Sequence, residues 1–195
     1  MNVAVNIKKG RAKKALATSA FELFNKQGYK VTTISEIAEH AGYHVQTFYR
    51  HFASKEDLLA EIWRQSYLKF KAKFDARGKT RAIEAWRNYI KDQAESVIEE
   101  SQPWGLEDTS SIPVLTSECQ IYQDQYRKLL AEGIAQDMNV NAQNDIRPML
   151  IACTLFDGNS MTARQWIGKP INKKAYISSL VRVVDETKKI LKNQN

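Results

Sequence analysis

The chain has 195 residues, 43% of them hydrophobic and 26% charged, with a formal net charge of +7. That length and mixture suit a globular protein with a sizeable buried core, and no apolar run approaches the about 18 residues a membrane helix requires. The charge is segregated: residues 1–81 hold 16 Lys and Arg against 7 Asp and Glu, while residues 82–195 hold 13 against 15, so the first part has the balance of a polyanion binder and the second does not.

Helical periodicity dominates, and the fold class read from it is all-α with about nine helices. The first helix is expected over about 9–27, with Leu16, Ala20, Leu23 and Phe24 in one apolar stripe and Gly28 as its stop. Its lead-in is basic, with Lys8, Lys9, Arg11, Lys13 and Lys14. The second helix is expected over 34–40, with Thr33 as N-cap and Glu36 completing a capping box. Gly42 then separates it from a third helix over about 45–52, whose inward face is Val45, Phe48 and Phe52. Ser54 opens a fourth helix that runs to about Arg77, before Gly78. Further helices are expected at roughly 81–100, 110–117, 119–138, 144–167 and 172–192, with Thr80 as cap of the first and Asn144 and Asp145 ahead of Pro148 in the fourth.

Two helices of about two turns joined by a turn holding Gly42 form a helix-turn-helix signature. Such helices are too short to persist alone in water. They need only bury one face, because the second of the pair is the one that enters a DNA major groove. Its outer residues are His44, Gln46, Thr47, Tyr49 and Arg50. Gln can bond adenine in two places, and Thr or Val can meet a thymine methyl. Tyr49 and His51 carry polar tips suited to phosphate oxygens, which position a helix without reading sequence. Lys55 sits in the first turn of the next helix, against the helix dipole, a conflict that a phosphate bound there relieves. Two readings compete at Tyr49, phosphate contact or plain packing, and at His51, phosphate contact or a helix-end histidine. His44 and His51 are seven residues apart, not the four of a helical metal pair, so no metal site and no cofactor are expected.

The segments "TTISEIAEHAG" and "TFYRHFASKEDLL" resemble the DNA-binding domain of TetR-family transcriptional regulators, over residues 9–69 with the motif at about 33–52. The resemblance implies phosphate contacts for Thr33, Tyr49, His51 and Lys55, and base reading for His44, Val45, Gln46 and Thr47. His44 and Gln46 depart from the family's frequent Ser and Gly, and Tyr43 from a common aliphatic, so an operator sequence does not transfer. The resemblance also implies that residues 78–195 form a larger helical domain that binds a small effector and dimerises through its last two helices, on palindromic double-stranded operator DNA.

Aromatic side chains available to an effector pocket are Trp63, Tyr67, Trp86, Tyr89, Trp104, Phe156 and Trp166, with ordinary core packing as the competing reading. Candidate dimer residues are Cys153, Phe156, Ser160, Ala163, Ile177, Leu180, Val181 and Val184, with closure of the monomer core as the alternative. The chain lacks a Gly-rich phosphate loop, a nucleophile elbow and a two-His zinc motif, so an enzyme is not expected. The function read here is a dimeric transcriptional repressor released by an effector. An activator of the same fold, or a non-specific nucleic-acid or protein interaction module, stands as the alternative. Two cysteines, Cys119 and Cys153, do not make a disulfide scaffold, and the N-terminus turns from apolar to basic, the reverse of a secretory signal. The protein is therefore read as cytoplasmic, with free thiols and no membrane partner.

Overall fold

The three- and four-residue periodicity becomes eight α-helices in the computed structural model, which describes residues 3–99, 117–166 and 172–192. In chain order these are α1 (Val3–Gln27), α2 (Ile34–His40), α3 (Val45–Tyr49), α4 (Lys55–Asp75), α5 (Ala82–Glu99), α6 (Ser117–Met138), α7 (Arg147–Arg164) and α8 (Lys173–Lys192). The expected helix over 110–117 falls almost wholly outside the described residues. Among the described residues there is no strand.

Several boundaries moved for identifiable reasons. The first helix starts earlier than expected, at Val3. The third ends at Tyr49, because Phe48 O accepts from both His51 N and Phe52 N in a tighter turn. Thr80 does not cap α5. The amide of Ala82 is taken instead by Asp137 Oδ2 of α6, 2.6 Å away, so the cap comes from 55 residues further along the chain. At α7, Asp145 Oδ1 accepts from Arg147 N at 2.9 Å, beside a proline in the first turn, as the sequence grammar requires.

Two apolar clusters dominate the interior. One joins α1, α2, α3 and the start of α4 around Leu16, Phe24, Ile37, Phe48 and Leu58. The other joins the second half of α4 to α5, α6, α7 and α8 around Phe70, Trp86, Leu130, Leu155 and Val184. Helix α4 therefore contributes to both. Cys119, in the first turn of α6, is buried in the first cluster, so α6 reaches back to it. Close approach of α4 and α6 depends on Gly133, where a Cβ would fall 2.5 Å from Phe74 Cζ.

Candidate nucleic-acid interface

The hinge between α2 and α3 is built by hydrogen bonds that only a glycine accommodates without strain. Gly42 lies at φ +74°, its N–H donates to Glu39 O at 2.9 Å, and Tyr43 N donates to Ala38 O at 2.8 Å. This is the Schellman arrangement, in which a left-handed residue lets the chain satisfy the last carbonyls of one helix and turn into the next. At the other end of α2 the expected capping box is present. Glu36 N donates to Thr33 Oγ1 at 3.2 Å, and Thr33 N donates to Glu36 Oε2 at 2.7 Å. The Thr33 N–H, together with the Thr33 hydroxyl that donates to the same Oε2 at 2.8 Å, holds the Glu36 carboxyl below its ordinary range.

Helix α3 hangs on one residue. Phe48 is its buried member, at 0% exposure, packed 5.5 Å from the Phe52 ring. A phenylalanine buried so completely contributes about 2–3 kcal/mol, and it sets which face of so short a helix turns outward. His44, Gln46, Tyr49 and Arg50 are exposed, while Val45, Thr47 and His51 are half-buried. Tyr49 touches Phe48 edge-on at 5.6 Å yet stays 59% exposed, so it is not a core tyrosine. His44 is the N-cap residue of α3 and makes no side-chain cap bond. His51 lies against the Phe52 ring, 6.4 Å between centroids. Thr33 is exposed one loop away.

Two basic residues have duties the sequence did not disclose. Lys55 Nζ donates to the carbonyl oxygens of Tyr29 and Thr32, both at 2.8 Å, and lies 4.4 Å from the Tyr29 ring centroid. Burial lowers its pKa from the ordinary lysine value. Lys13 turns away from the basic lead-in to pair with Glu61 of α4 at 2.9 Å, while Arg11 and Lys14 remain exposed. Glu61 is nearly buried and also accepts from Arg64 and Gln65. Burial alone would raise its pKa, but the bonds from Arg64, Lys13 and Gln65 outweigh it and bring the value down to about 2. The sequence signal available was the acid itself, set among Leu58, Leu59 and Ile62 three residues before an arginine.

Elsewhere, the aromatics considered for a pocket divide. Trp104 lies outside the described residues. Trp63 and Tyr67 are half-buried, and Trp166 donates to Ser179 Oγ at 3.0 Å. Trp86, Tyr89 and Phe156 are buried in ring contact with Phe70 and Tyr126. Their burial supports the core reading. The polar tips inside this cluster are satisfied: Tyr89 and Tyr126 hydroxyls meet at 3.0 Å, and Ser66 joins Tyr126 at 2.9 Å.

Of the eight candidate dimer residues, three are buried within the monomer. Phe156, Leu180 and Val184 face inward and serve the monomer core, because α8 must bury one stripe on α5 and α7 before it can offer another to a second copy. Ile177 and Val181 border a groove toward α5. Cys153, Ser160 and Ala163 are half-buried. Among the described residues of α7 and α8, the large apolar side chains that stand exposed are Met149, Leu150, Met161 and Ile190. No group of three or more His, Cys, Asp or Glu in metal-binding geometry occurs among the described residues, and no described helix is long and apolar enough to cross a membrane.

Comparison with known proteins places this arrangement. Residues 16–62 match the model for bacterial regulatory proteins of the tetR family. The HTH-type transcriptional regulator TcmR of Streptomyces glaucescens is 50% identical over 48 residues, a match that takes in 25% of this chain and 21% of that relative. The whole fold is similar to a tetR-family regulator from Streptomyces coelicolor (TM-score 0.67, 17% identity, 94% of this chain and 83% of that one). It is also similar to a putative TetR-family regulator from Rhodococcus sp. (TM-score 0.66, 17% identity, 90% and 98%). A third similar fold is SmeT, the repressor of the Stenotrophomonas maltophilia multidrug efflux pump SmeDEF (TM-score 0.61, 16% identity, 90% and 87%).

Proposed function

We propose that this chain, which belongs to the TetR family of bacterial regulatory proteins by its N-terminal helix-turn-helix domain, is a dimeric, sequence-specific repressor of transcription released by a small effector. The observation that carries the reading is the outward face of α3. A helix pinned by Phe48 presents His44, Gln46, Tyr49 and Arg50 to solvent, a polar face with bidentate bonding capacity for base edges rather than a lysine-rich one suited to any polyanion.

In this reading residues 9–69 are the reading head and residues 78–195 the regulatory and dimerisation part, with α4 shared between them. Gln46, Thr47, Val45 and His44 read bases. Thr33, Tyr49, Arg50, His51 and Lys55 position the head on phosphates. A two-fold dimer sets two such heads about 34–36 Å apart, one turn of DNA, and so selects a palindrome. The exposed apolar residues of α7 and α8 supply the self-complementary face that a two-fold contact needs. An effector that binds the regulatory part and shifts α4 changes that spacing, and effector and operator then weaken each other reciprocally.

The test is selection of bound DNA from a random pool at moderate salt. A palindromic winner bound at least about 10³-fold tighter than random DNA is the expected result. Uniform recovery of all sequences would replace the reading with a non-specific basic module.

A further inference from the structure

We infer that Cys119 is a positioning residue for DNA binding: carried on the first turn of α6, it fastens the reading head to the regulatory helices at a second point, beside α4, and so fixes the angle at which α3 is presented. This rests on the regulator reading above and gives its release step a contact. The head core is built from α1, α2, α3 and the start of α4, and among the described residues Cys119 is its one member from beyond α4. It is fully buried there, where a thiol packs as a small apolar group.

Tyr29 belongs to the same cluster. The pKa of its hydroxyl is raised by burial first, then by Glu56, and then by the Cys119 thiol, which therefore stands close to it. Tyr29 lies in the loop between α1 and α2. Its hydroxyl donates to Glu56 at 2.6 Å and its carbonyl accepts from Lys55 at 2.8 Å. The same loop ends at Thr33, the N-cap of α2. The first turn of α6 thus bears on the loop that sets α2, and through the Gly42 turn on α3.

A single helix shared by two bodies leaves a swivel about its own axis, and α6 removes it. It runs alongside α4 in the same direction, with Tyr126 6.5 Å from Trp63, Tyr122 6.2 Å from Tyr67 and Gly133 against Phe74. Its first turn therefore meets the head where α4 enters it. Its later turns are tied to the regulatory helices: Asp137 accepts from Ala82 N of α5 at 2.6 Å, and Arg127 pairs with Asp157 of α7 at 2.6 Å. A displacement of α5 or α7 is passed along α6 to Cys119. A close-packed contact responds to such a displacement by breaking rather than by stretching. With that turn withdrawn, the head hangs on α4 alone and can turn.

The experiment measures binding of the full-length protein to three DNAs: the operator selected from the random pool, the same operator with one base pair inserted between its halves, and a duplex carrying one half-site. The inserted pair moves one half-site by about 3.4 Å and turns it by roughly 35°. Wild type is expected to bind the inserted operator at least about tenfold more weakly. Cys119→Asp suits the first turn of a helix, where the dipole favours an acid, but not an apolar core, so it should draw α6 out of the head and leave both folded. This variant is expected to bind the half-site within about twofold of wild type, to lose at least about tenfold on the operator, and to be nearly indifferent to the inserted pair. Cys119→Val, apolar and similar in size, is expected to keep the wild-type spacing preference. Where the aspartate variant does not fold, Cys119→Ala takes its place, with smaller changes in the same order. Half-site binding lost in step with operator binding would make Cys119 a core residue of the head and overturn the positioning role. A spacing preference that survives the substitutions would overturn it too. The regulator reading answers separately: a wild type that selects no palindrome fails that reading, whereas a palindrome whose spacing preference is unaltered in the variants fails the role of Cys119 alone.

Discussion

The Lys55 ammonium is tied to the Tyr29 and Thr32 carbonyls at 2.8 Å and to the face of the Tyr29 ring at 4.4 Å. Tyr29 in turn donates its hydroxyl to Glu56 at 2.6 Å. Adjacent residues of α4 thus grip both ends of one loop side chain, and that loop ends at Thr33, the cap of α2. A residue expected to neutralise phosphate is first a clamp on the loop that presents Thr33. Lys55→Met should therefore cost roughly 1–3 kcal/mol of stability, the range for bonds to a charged donor. It should also weaken operator and random DNA alike. Urea unfolding followed by titration of both DNAs reads the two effects, and an unchanged unfolding midpoint would remove the clamp.

The outer face of α3 makes a separable prediction. Gln46→Ala should relax base preference at one operator position, at a cost of about 1–3 kcal/mol. Arg50→Ala should weaken every sequence and lower the salt slope by about one. Both side chains are exposed while Phe48 between them is buried, so neither change should alter stability. Binding measured across single-base operator variants at two salt concentrations distinguishes reader from positioner. Indistinguishable profiles would dissolve that division.

Much of the reading head was legible because local rules decide it. Thr33 with Glu36, Gly42 at a left-handed turn and Ser54 ahead of Asp57 are short-range patterns whose partners lie within four residues. The same locality explains what could not be read. Asp137 caps α5 from 55 residues away, Lys55 bonds carbonyls 23 and 26 residues earlier, and Lys13 reaches Glu61 across two helices. Each is a polar group completing a remote backbone or charge, and no periodicity announces it. The apolar stripes misled in a different way. Periodicity marks Leu180 and Val184 as inward-facing without saying whether inward means the monomer core or a partner, and the structure gives them to the core.

Glu61 predicts an acid response. Its folded pKa, about 2, lies below the ordinary carboxylate value of 4.5. A depressed folded value means stability that is present above about pH 4.5 and lost as pH falls toward 2, amounting to roughly 2–3 kcal/mol for a shift of this size. Glu61→Gln should lack that part of the acid limb and be less stable at neutral pH, where Lys13 and Arg64 lose their shared partner. Unfolding midpoints from pH 7 down to pH 2 for both proteins test this. Parallel curves would show that the carboxylate contributes nothing specific.

Association should depend on the outer face of α7. Leu150 and Met161 are each 58% exposed and lie eleven residues apart, three helical turns, on the side opposite Ile151, Ala152 and Leu155. Leu150→Glu with Met161→Glu leaves the monomer core intact while placing like charges across a two-fold contact. Sedimentation should show the variant as a monomer, and its operator affinity should fall to that of a single half-site. A variant that remains dimeric would move the interface elsewhere.

Asn159 offers a test of the link between α5 and α8. It is 4% exposed, accepts from Trp86 Nε1 and donates to Leu180 O. Asn159→Leu keeps the bulk but orphans the buried indole N–H, which costs about 1–3 kcal/mol. Asn159→Asp separates the two bonds by pH. The ionised carboxylate can accept from Trp86 but cannot donate to Leu180 O, and burial raises its pKa above the unfolded value. A raised folded pKa means a penalty that is full at neutral pH and shrinks as pH falls and the acid regains a proton to donate. The stability gap between wild type and Asn159→Asp should therefore narrow from pH 7 to pH 4, while the gap to Asn159→Leu stays level. Two gaps that change in parallel would mean that Asn159 fills space rather than bridging the helices.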